Sequence, residues 1–599
     1  MTDSNVPMPA TSTITPRIEK LLPIVCVLLF SVFLVLTSNA KLSGEDDLFW
    51  HLSTARYIID NAEIPSTDVF SYMTYGKTWI PFEWGWDILA YFVYKIDRFV
   101  SLAFFSTCLI LLTYFLLYRS LKTSGVSLSL SVLCLTILTL GLMVRFTVKP
   151  HLVSYLFLSL VLSILIGYKY VSPHKVKNLF FLPLIFILWA NIHMGVLAGI
   201  ALLSVFTASE VVIFRMRNKL SSFPADISSP SRLRVVLLIY ILSLGACLVN
   251  PHGLETYSYV ISHLKLKQME VVYEWLSPFT SAYVFRSYNI IYYLYLAASP
   301  LVVYYSFCSR DIFPLLVYGV FLYHSTTSVR FTSDFLVTGT FFLVTSVDFV
   351  MKKSSALKKV EELINRKLFF KVFLCLVLVL LIASVPGSRL YSFLGYQRIA
   401  GIGVDFDNFP SKMIEFMKQT QIADIGERPF NSYETGGYFI WNFPGKKNFI
   451  DSRGVNDEVW ERYVSVINTQ PGFLQILDNL KPDYFMWFVP DVNYSRDPGF
   501  LNYGILSYLF NSPQEWKLVY WDDMSLLFVR NSEKFTPIIE HYQYNYVTPF
   551  NFYYKRNYLD SAAAVNRNAV IREISRHQVY DPAGRLIDRI RSLYAIDTN

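Results

Sequence analysis

The sequence predicts a polytopic α-helical membrane protein that carries a C-terminal mixed α/β domain outside the cytoplasm and ends in a helical tail. Three observations lead there. Of the 599 residues, 53% are hydrophobic and only 16% charged, where a soluble chain carries about 25% charged residues. The apolar residues gather in uncharged runs roughly 16 to 20 residues long, enough to cross the hydrocarbon of a bilayer. The loops between the runs alternate between basic and acidic, which is how membrane topology is written.

The first apolar run, Leu21 to Leu36, follows Arg17 and Lys20. Ser38-Asn39-Ala40 resembles a signal-peptide cleavage site, but the acidic segment directly after it reads as an anchored loop. Spanning candidates lie at 20–38, 99–118, 125–143, 149–167, 178–191, 194–213, 233–250, 288–306, 312–328, 331–349 and 368–387. These about eleven runs should be helices, because backbone polar groups in lipid must be satisfied within the segment. With the N-terminus in the cytoplasm, one set of loops carries Arg119, Lys122, Lys169, Lys175, Lys177, Arg215, Arg217, Lys219, Arg232, Arg234, Arg310, Lys352, Lys353, Lys358, Lys359, Arg366 and Lys367. The first loop of the other set, 39–98, is acidic. The odd number of crossings then places residues 388–599 outside the cytoplasm.

The net charge of +8 is spread over these loops and does not suggest nucleic acid. The six cysteines lie in or at the ends of apolar runs, so no disulfide framework and no CxxC metal site is implied. Residues 1–387 form the membrane module and 388–530 an α/β domain, with 531–599 as the helical tail. In the domain, Tyr438–Trp441, Asn448–Asp451, Tyr484–Phe488, Lys517–Tyr520 and Ser525–Val529 read as strands. Pro410–Met417, Glu458–Ile467 and Phe473–Leu480 read as helices, and 557–595 as two more, broken at Asp581-Pro582. Gly436-Gly437 reads as a turn and Asp451-Ser452-Arg453 as a strand end with a local ion pair.

Five polar clusters fall on the acidic side. Glu45-Asp46-Asp47-Leu48-Phe49-Trp50-His51 follows the first span, and a helix there puts Asp47 and His51 one turn apart on one face. Asp68, Glu83 and Trp84 follow in the same loop. Arg145 and Lys149-Pro150-His151 flank the turn between the third and fourth spans. Trp189, Asn191 and His193 occupy a tight turn, then come Asn250-Pro251 and Glu274-Trp275, and finally His324, Arg330 and Asp334. Singly, such residues are caps, snorkelling head groups or interhelical hydrogen bonds. Together they predict a shared cavity. Carboxylates beside cations suit transfer from a lipid-held phosphate: the cations stabilise the leaving phosphate and a carboxylate takes the acceptor's proton. A transporter is the competing reading, but no inverted halves and no matched pair of broken helices are visible.

The stretch Asp47 to Leu89 resembles the signature of bacterial integral-membrane glycosyltransferases of the GT-C superfamily, including the branch related to dolichyl-phosphate-mannose protein mannosyltransferases. The residues that carry it are Asp47, Trp50, His51, Ile64, Pro65, Asp68, Phe70, Ser71, Gly76, Trp79, Glu83 and Trp84. It extends to Trp189, Asn191, His193, Asn250-Pro251, Glu274-Trp275 and Arg330, and in the outer domain to Phe430-Asn431, Gly436-Gly437-Tyr438, Trp441 and Phe449 to Arg453. Two positions depart from the pattern: Glu45-Asp46-Asp47 stands for acid-Pro-Asp, and Lys149-Pro150 for Arg-Pro, losing a bidentate grip on phosphate.

The resemblance implies a GT-C fold, a polyprenyl-phosphate sugar donor, and a site at the outer face of a bacterial cytoplasmic (inner) membrane. The acceptor is then a hydroxyl of a glycan, lipid or protein. On this reading Asp47 is the base, with His51 and Asp68 as further catalytic groups. Lys149, Arg330 and Arg145 hold the donor phosphate. Glu83, Trp84, Asn191, His193, Glu274 and Trp275 line the acceptor side. Some members use a divalent cation, Mg or Mn, for which Asp47 and Asp68 are the candidate ligands. A non-catalytic scaffold for envelope glycan or lipid assembly is the alternative on the same framework.

Overall fold

The computed structural model describes residues 15–171, 176–216, 230–270, 272–280, 289–396 and 398–594. Lys175, Arg217 and Lys219, three of the expected cytoplasmic cations, lie outside the described residues. The chain divides into two compact units, each built from three stretches of sequence. The first comprises Met1–Lys41, Phe99–Asn250 and Tyr273–Gly403, and the second Leu42–Arg98, Pro251–Val272 and Val404–Asn599.

The first unit is helical, and all eleven expected runs are helices or helix pairs within it. Among the described residues, seven helices are long and apolar enough to cross a membrane, eight if the bent pair Lys358–Ile364 and Leu368–Ser384 makes one span. Val176–Ile192, Pro230–Ala246 and Ile312–Thr327 are shorter, the last at 16 residues, at or below the lower limit of about 17 for a crossing. Thr15–Ser38 packs along Leu368–Ser384, where the Cys26 and Cys375 sulfurs lie 3.1 Å apart. Ile312–Thr327 packs along Val329–Lys353. Polar side chains within these helices satisfy each other: Tyr295 Oη lies 2.8 Å from Thr340 Oγ1, and Tyr318 Oη donates to the Tyr295 carbonyl at 2.7 Å. Such pairing removes the cost of an isolated polar group in an apolar setting.

The second unit centres on a four-stranded sheet: β1 (Pro429–Asn431), β2 (Tyr484–Phe488), β3 (Trp516–Trp521) and β4 (Ser525–Arg530) in the order β1-β2-β4-β3. β1 runs parallel to β2, and the other pairings are antiparallel. Phe430, Phe485 and Phe528 are buried at the sheet, under helices Asp457–Ile467 and Phe473–Leu480. The residues expected to form two tail helices form three, Arg556–Val565, Arg567–Tyr580 and Arg585–Leu593. Their Leu559, Ile574 and Ile587 are fully buried in the same core.

Two expected strands are not strands. Asn448–Asp451 makes only an isolated bridge with Ser71, while Gly436–Asn442 is a helix. Aromatic content suggested a strand at Tyr438–Trp441; what decides the matter is a cap supplied from the first outer loop. The Asp46 carboxylate accepts the N–H groups of Gly437 at 2.8 Å and Tyr438 at 2.7 Å. At the other end, Arg56 donates to the carbonyls of Ile440 and Trp441. A negative group at the N-terminus and a positive one at the C-terminus both suit the helix dipole. Gly436-Gly437 is therefore a helix start rather than a turn, and a Cβ at Gly437 would sit 2.7 Å from the Asp46 carbonyl oxygen.

Candidate functional site

The sequence-predicted residues fall into two constellations, one in each unit. In the second unit, Asp47 opens the helix Asp47–Asn61 with Asp46 as its N-cap. Asp47 Oδ1 accepts a hydrogen bond from Ser452 Oγ at 2.6 Å, and the Trp50 indole N–H donates in turn to Ser452 Oγ at 3.1 Å. His51, one turn on, is buried. Its Nδ1 lies 2.5 Å from Asp87 Oδ1 and its Nε2 3.8 Å from Glu83 Oε2. Glu83 and Asp87 stand four residues apart, and the Asp87 N–H bonds to the Glu83 carbonyl, so one helical turn presents both carboxylates to the imidazole. Trp84 begins the helix Trp84–Thr123 between them.

Asp68 is fully buried. Its Oδ1 accepts from Arg453 Nη1 at 2.7 Å and from the Phe70 N–H at 2.9 Å, and its Oδ2 accepts from Thr74. Arg453 also grips Asp451 through Nε at 2.9 Å and Nη2 at 2.7 Å, with its guanidinium 4.6 Å from the Trp79 ring centre. Burial works against this guanidinium's charge, yet Asp451 and Asp68 outweigh it and hold its pKa above the ordinary value. The segment expected as a strand end thus joins the first loop to the outer domain, since the Tyr72 N–H bonds to the Asn448 carbonyl and the Asn448 N–H to that of Phe70. Burial pushes the Asp46 carboxyl well above the usual carboxylate range, against the pull of the two N–H groups it accepts.

In the first unit, Glu274 gathers the expected phosphate-binding cations. Arg145 Nη1 donates to Glu274 Oε2 at 2.8 Å, and Arg330 Nη1 lies 3.7 Å from Oε1. Burial would raise the Glu274 carboxyl, but Arg145, Arg330 and Lys149 together hold it well below the usual range. Arg330 also stands over Trp275, 4.9 Å from the ring centre. Asp334 interacts electrostatically with Arg330 and Arg145. Arg145, Lys149 and Arg330 thus gather around Glu274, with Asp334 beside two of them. The buried Arg145 Nε–H has no hydrogen-bond partner among the described residues.

The Trp189–His193 turn is organised by Ser154. Its hydroxyl donates to His193 Nδ1 at 2.6 Å and accepts the Trp189 indole N–H at 2.7 Å. The Gly195 N–H also points at His193 Nδ1, at 3.0 Å. Two donors on Nδ1 assign the neutral tautomer protonated on Nε2. Gly195 is required, because a Cβ there would collide with Ser154. Asn191 Nδ2 donates to the carbonyls of Val249 and Ile187, tying the turn to the end of the Pro230–Ala246 segment.

Asp87, Ser154 and Ser452 were not anticipated as site residues. Asp87 was legible through its spacing from Glu83, and Ser154 through its place one turn after His151. Ser452 meets Asp47 across 405 residues of sequence, and no local pattern foretells that. Of the two candidate metal ligands, Asp68 has both oxygens committed to Arg453, Phe70 and Thr74. Among the described residues, no three His, Cys, Asp or Glu side chains are grouped to hold a metal ion.

No protein-family model matches the chain, and no curated protein matches it in sequence. Solved structures do match. The apo crystal structure of the Archaeoglobus fulgidus oligosaccharyltransferase superposes with a TM-score of 0.52 at 12% identity, over 86% of this chain and 74% of that one. The archaeal oligosaccharyltransferase AglB from the same organism, in complex with an inhibitory peptide and a dolichol-phosphate, gives 0.52 at 12% identity, over 87% and 75%. The same enzyme tethered to an acceptor peptide containing the NVT sequon gives 0.50 at 12% identity, over 86% and 74%. The likeness is one of fold: a polytopic α-helical membrane protein with a C-terminal mixed α/β extracytoplasmic domain, of the GT-C type. These matches are archaeal oligosaccharyltransferases rather than bacterial or mannosyltransferase-related proteins, and what they share with this chain is the fold.

Proposed function

We propose that the chain is a glycosyltransferase that moves a sugar from a polyprenyl-phosphate-linked donor to a hydroxyl acceptor on the extracytoplasmic face of the membrane. The observation that carries this reading is the cluster of Arg145, Lys149 and Arg330 around Glu274, in a chain of GT-C fold. Such a cluster suits a phosphate that is leaving with its electrons. The partnerless Arg145 Nε–H is a donor that a phosphate oxygen would satisfy. A fold shared with a protein solved with dolichol-phosphate supports the donor class.

In the reaction, the acceptor hydroxyl attacks the anomeric carbon as the bond from that carbon to the phosphate oxygen breaks. Asp47 takes the hydroxyl proton, and the polyprenyl phosphate leaves with the bonding pair. Ser452, itself held by the Trp50 indole N–H, fixes the Asp47 carboxylate. His51, which is held by Asp87 and Glu83, is the proposed relay for that proton. Asp68 acts as a positioning residue, because Arg453 occupies it. Glu83, Trp84, Asn191, His193 and Trp275 remain the proposed acceptor side. No step passes through a metal ion.

Asp47→Asn removes the base and almost no volume, so transfer from a polyprenyl-phosphate sugar should fall by about 10²–10⁴-fold while membrane insertion and protein level stay unchanged. Undiminished turnover, with Asp46→Asn added to exclude its neighbour, rules this mechanism out. The scaffold reading draws on Asp46 and Asp68 being spent on joining segments; it is the one left if wild-type protein transfers nothing.

A further inference from the structure

A cavity of about 550 Å³ opens in the first unit, within the range that holds small ligands. It lies at the far end of the long helix Val329–Lys353 from Arg330: 22 residues at 1.5 Å each put Lys352 about 33 Å from that arginine. Its rim includes the Thr123–Val126 turn, next to Lys122, so charge placement puts it at the cytoplasmic end. It shares no residue with either constellation described above.

The cavity is sharply divided in chemistry. Tyr305, Phe341, Phe342 and Phe349 form an aromatic wall. Asp348 stands beside them, 6% exposed, and its Oδ1 has no hydrogen-bond partner among the described residues. Its Oδ2 accepts from Lys352 Nζ at 2.6 Å, and the same ammonium reaches the Gly125 carbonyl at 3.3 Å. The Lys352 side chain is half exposed, and an ammonium has three N–H groups, so one remains to face the opening. The Ser124 hydroxyl is likewise buried and without a partner among the described residues.

A buried carboxylate oxygen left without a donor costs free energy until a donor reaches it. An apolar ligand would leave it so, and an anionic one would repel it. An ammonium satisfies it, and a phosphate beside that ammonium meets the outward N–H of Lys352. The aromatic wall beyond takes a hydrocarbon chain.

We propose that this cavity binds an aminophospholipid of the cytoplasmic leaflet, with its ammonium on Asp348 Oδ1, its phosphate on Lys352 and one acyl chain along the aromatic wall. Full-length protein in neutral detergent is incubated with phosphatidylethanolamine, phosphatidylcholine or phosphatidylglycerol, and retained lipid is counted by native mass spectrometry. Phosphatidylcholine carries the charge without an N–H donor, so phosphatidylethanolamine should be retained about tenfold better than either. Asp348→Asn should erase that preference. Thr345→Trp, which fills the cavity, should abolish retention of all three. Soluble phosphoethanolamine should fail to compete, since it lacks the chain; competition by it would mean a headgroup site without a lipid and would overturn the proposal. Equal retention of the three lipids by the wild type, or undiminished retention by a folded Thr345→Trp protein, overturns it as well.

Discussion

Replacing Arg453 by methionine tests whether the outer domain and the first loop are held by charge. The change deletes three side-chain hydrogen bonds, two to Asp451 and one to Asp68, along with the stacking on Trp79. It strands two carboxylates that are 0% and 4% exposed. Neither is wholly abandoned: Asp68 keeps the Phe70 N–H and Thr74, and Asp451 keeps Asn448. Removing one partner of a buried pair costs about 3–5 kcal/mol. At about 2–4 °C per kcal/mol, this lowers the melting temperature by about 6–20 °C. Intrinsic fluorescence of the full-length protein in detergent is a suitable readout, since every tryptophan except Trp189 and Trp275 lies in the second unit. Adding Asp68→Asn and Asp451→Asn to Arg453→Met removes the stranded charges and should recover much of the loss. A single variant that melts within about 2 °C of wild type, or a triple variant that melts below the single one, refutes the reasoning.

Gly437→Ala should break the cap that Asp46 supplies and cost about 1–3 kcal/mol; combined with Asp46→Asn it should cost little more than either alone, which a double-mutant cycle reads directly. Burial, with Lys412 and Arg576 nearby, holds His577 down to about 3. The folded state therefore binds fewer protons than the unfolded one below about pH 6.5, so this contribution is present above that pH and is lost as the pH falls, by about 1.4 kcal/mol per unit. Melting followed from pH 7 to 5 should show that slope in the wild type and its absence in His577→Leu. The Glu274 carboxyl is depressed, so its contribution is present above about pH 4.3 and is lost as the pH falls through its folded value. Glu274→Gln should accordingly melt lower than wild type at pH 7, and the difference should close in strongly acidic buffer.

What the sequence disclosed depended on how local each cause is. Run length and loop charge are local, and every expected span is helical. β2, β3 and β4 were legible as aromatic and β-branched runs, and the helices Asp457–Ile467 and Phe473–Leu480 as amphipathic periods. β1 is three residues long, too short to show a period. Tyr438–Trp441 was misread because its helix is started by a carboxylate 391 positions upstream. The site divides in the same way. Asp47 and His51 follow from one helical turn, and the Arg145–Glu274–Arg330 grouping from several cations falling on one side of the membrane. The engagement of Asp68 by Arg453 spans 385 positions, and nothing near Asp68 in the chain announces it.

The second unit is assembled from stretches ending at Arg98, at Val272 and at the C-terminus, and this has a consequence for biogenesis. Residues 42–98 leave the ribosome long before Arg453, Gly437 and the sheet exist. At 5–20 residues per second, the wait from residue 98 to residue 453 is roughly 20–70 seconds. Over that interval Asp46 lacks Gly437 and Tyr438, Asp68 lacks Arg453, and Phe49 lacks Phe409 and Tyr438, so the emerging loop must be shielded or remain pliable. A ribosome that stalls anywhere in the later spans releases a chain whose first outer segment can never close. An unfinished molecule therefore exposes an early loop that the finished one keeps covered.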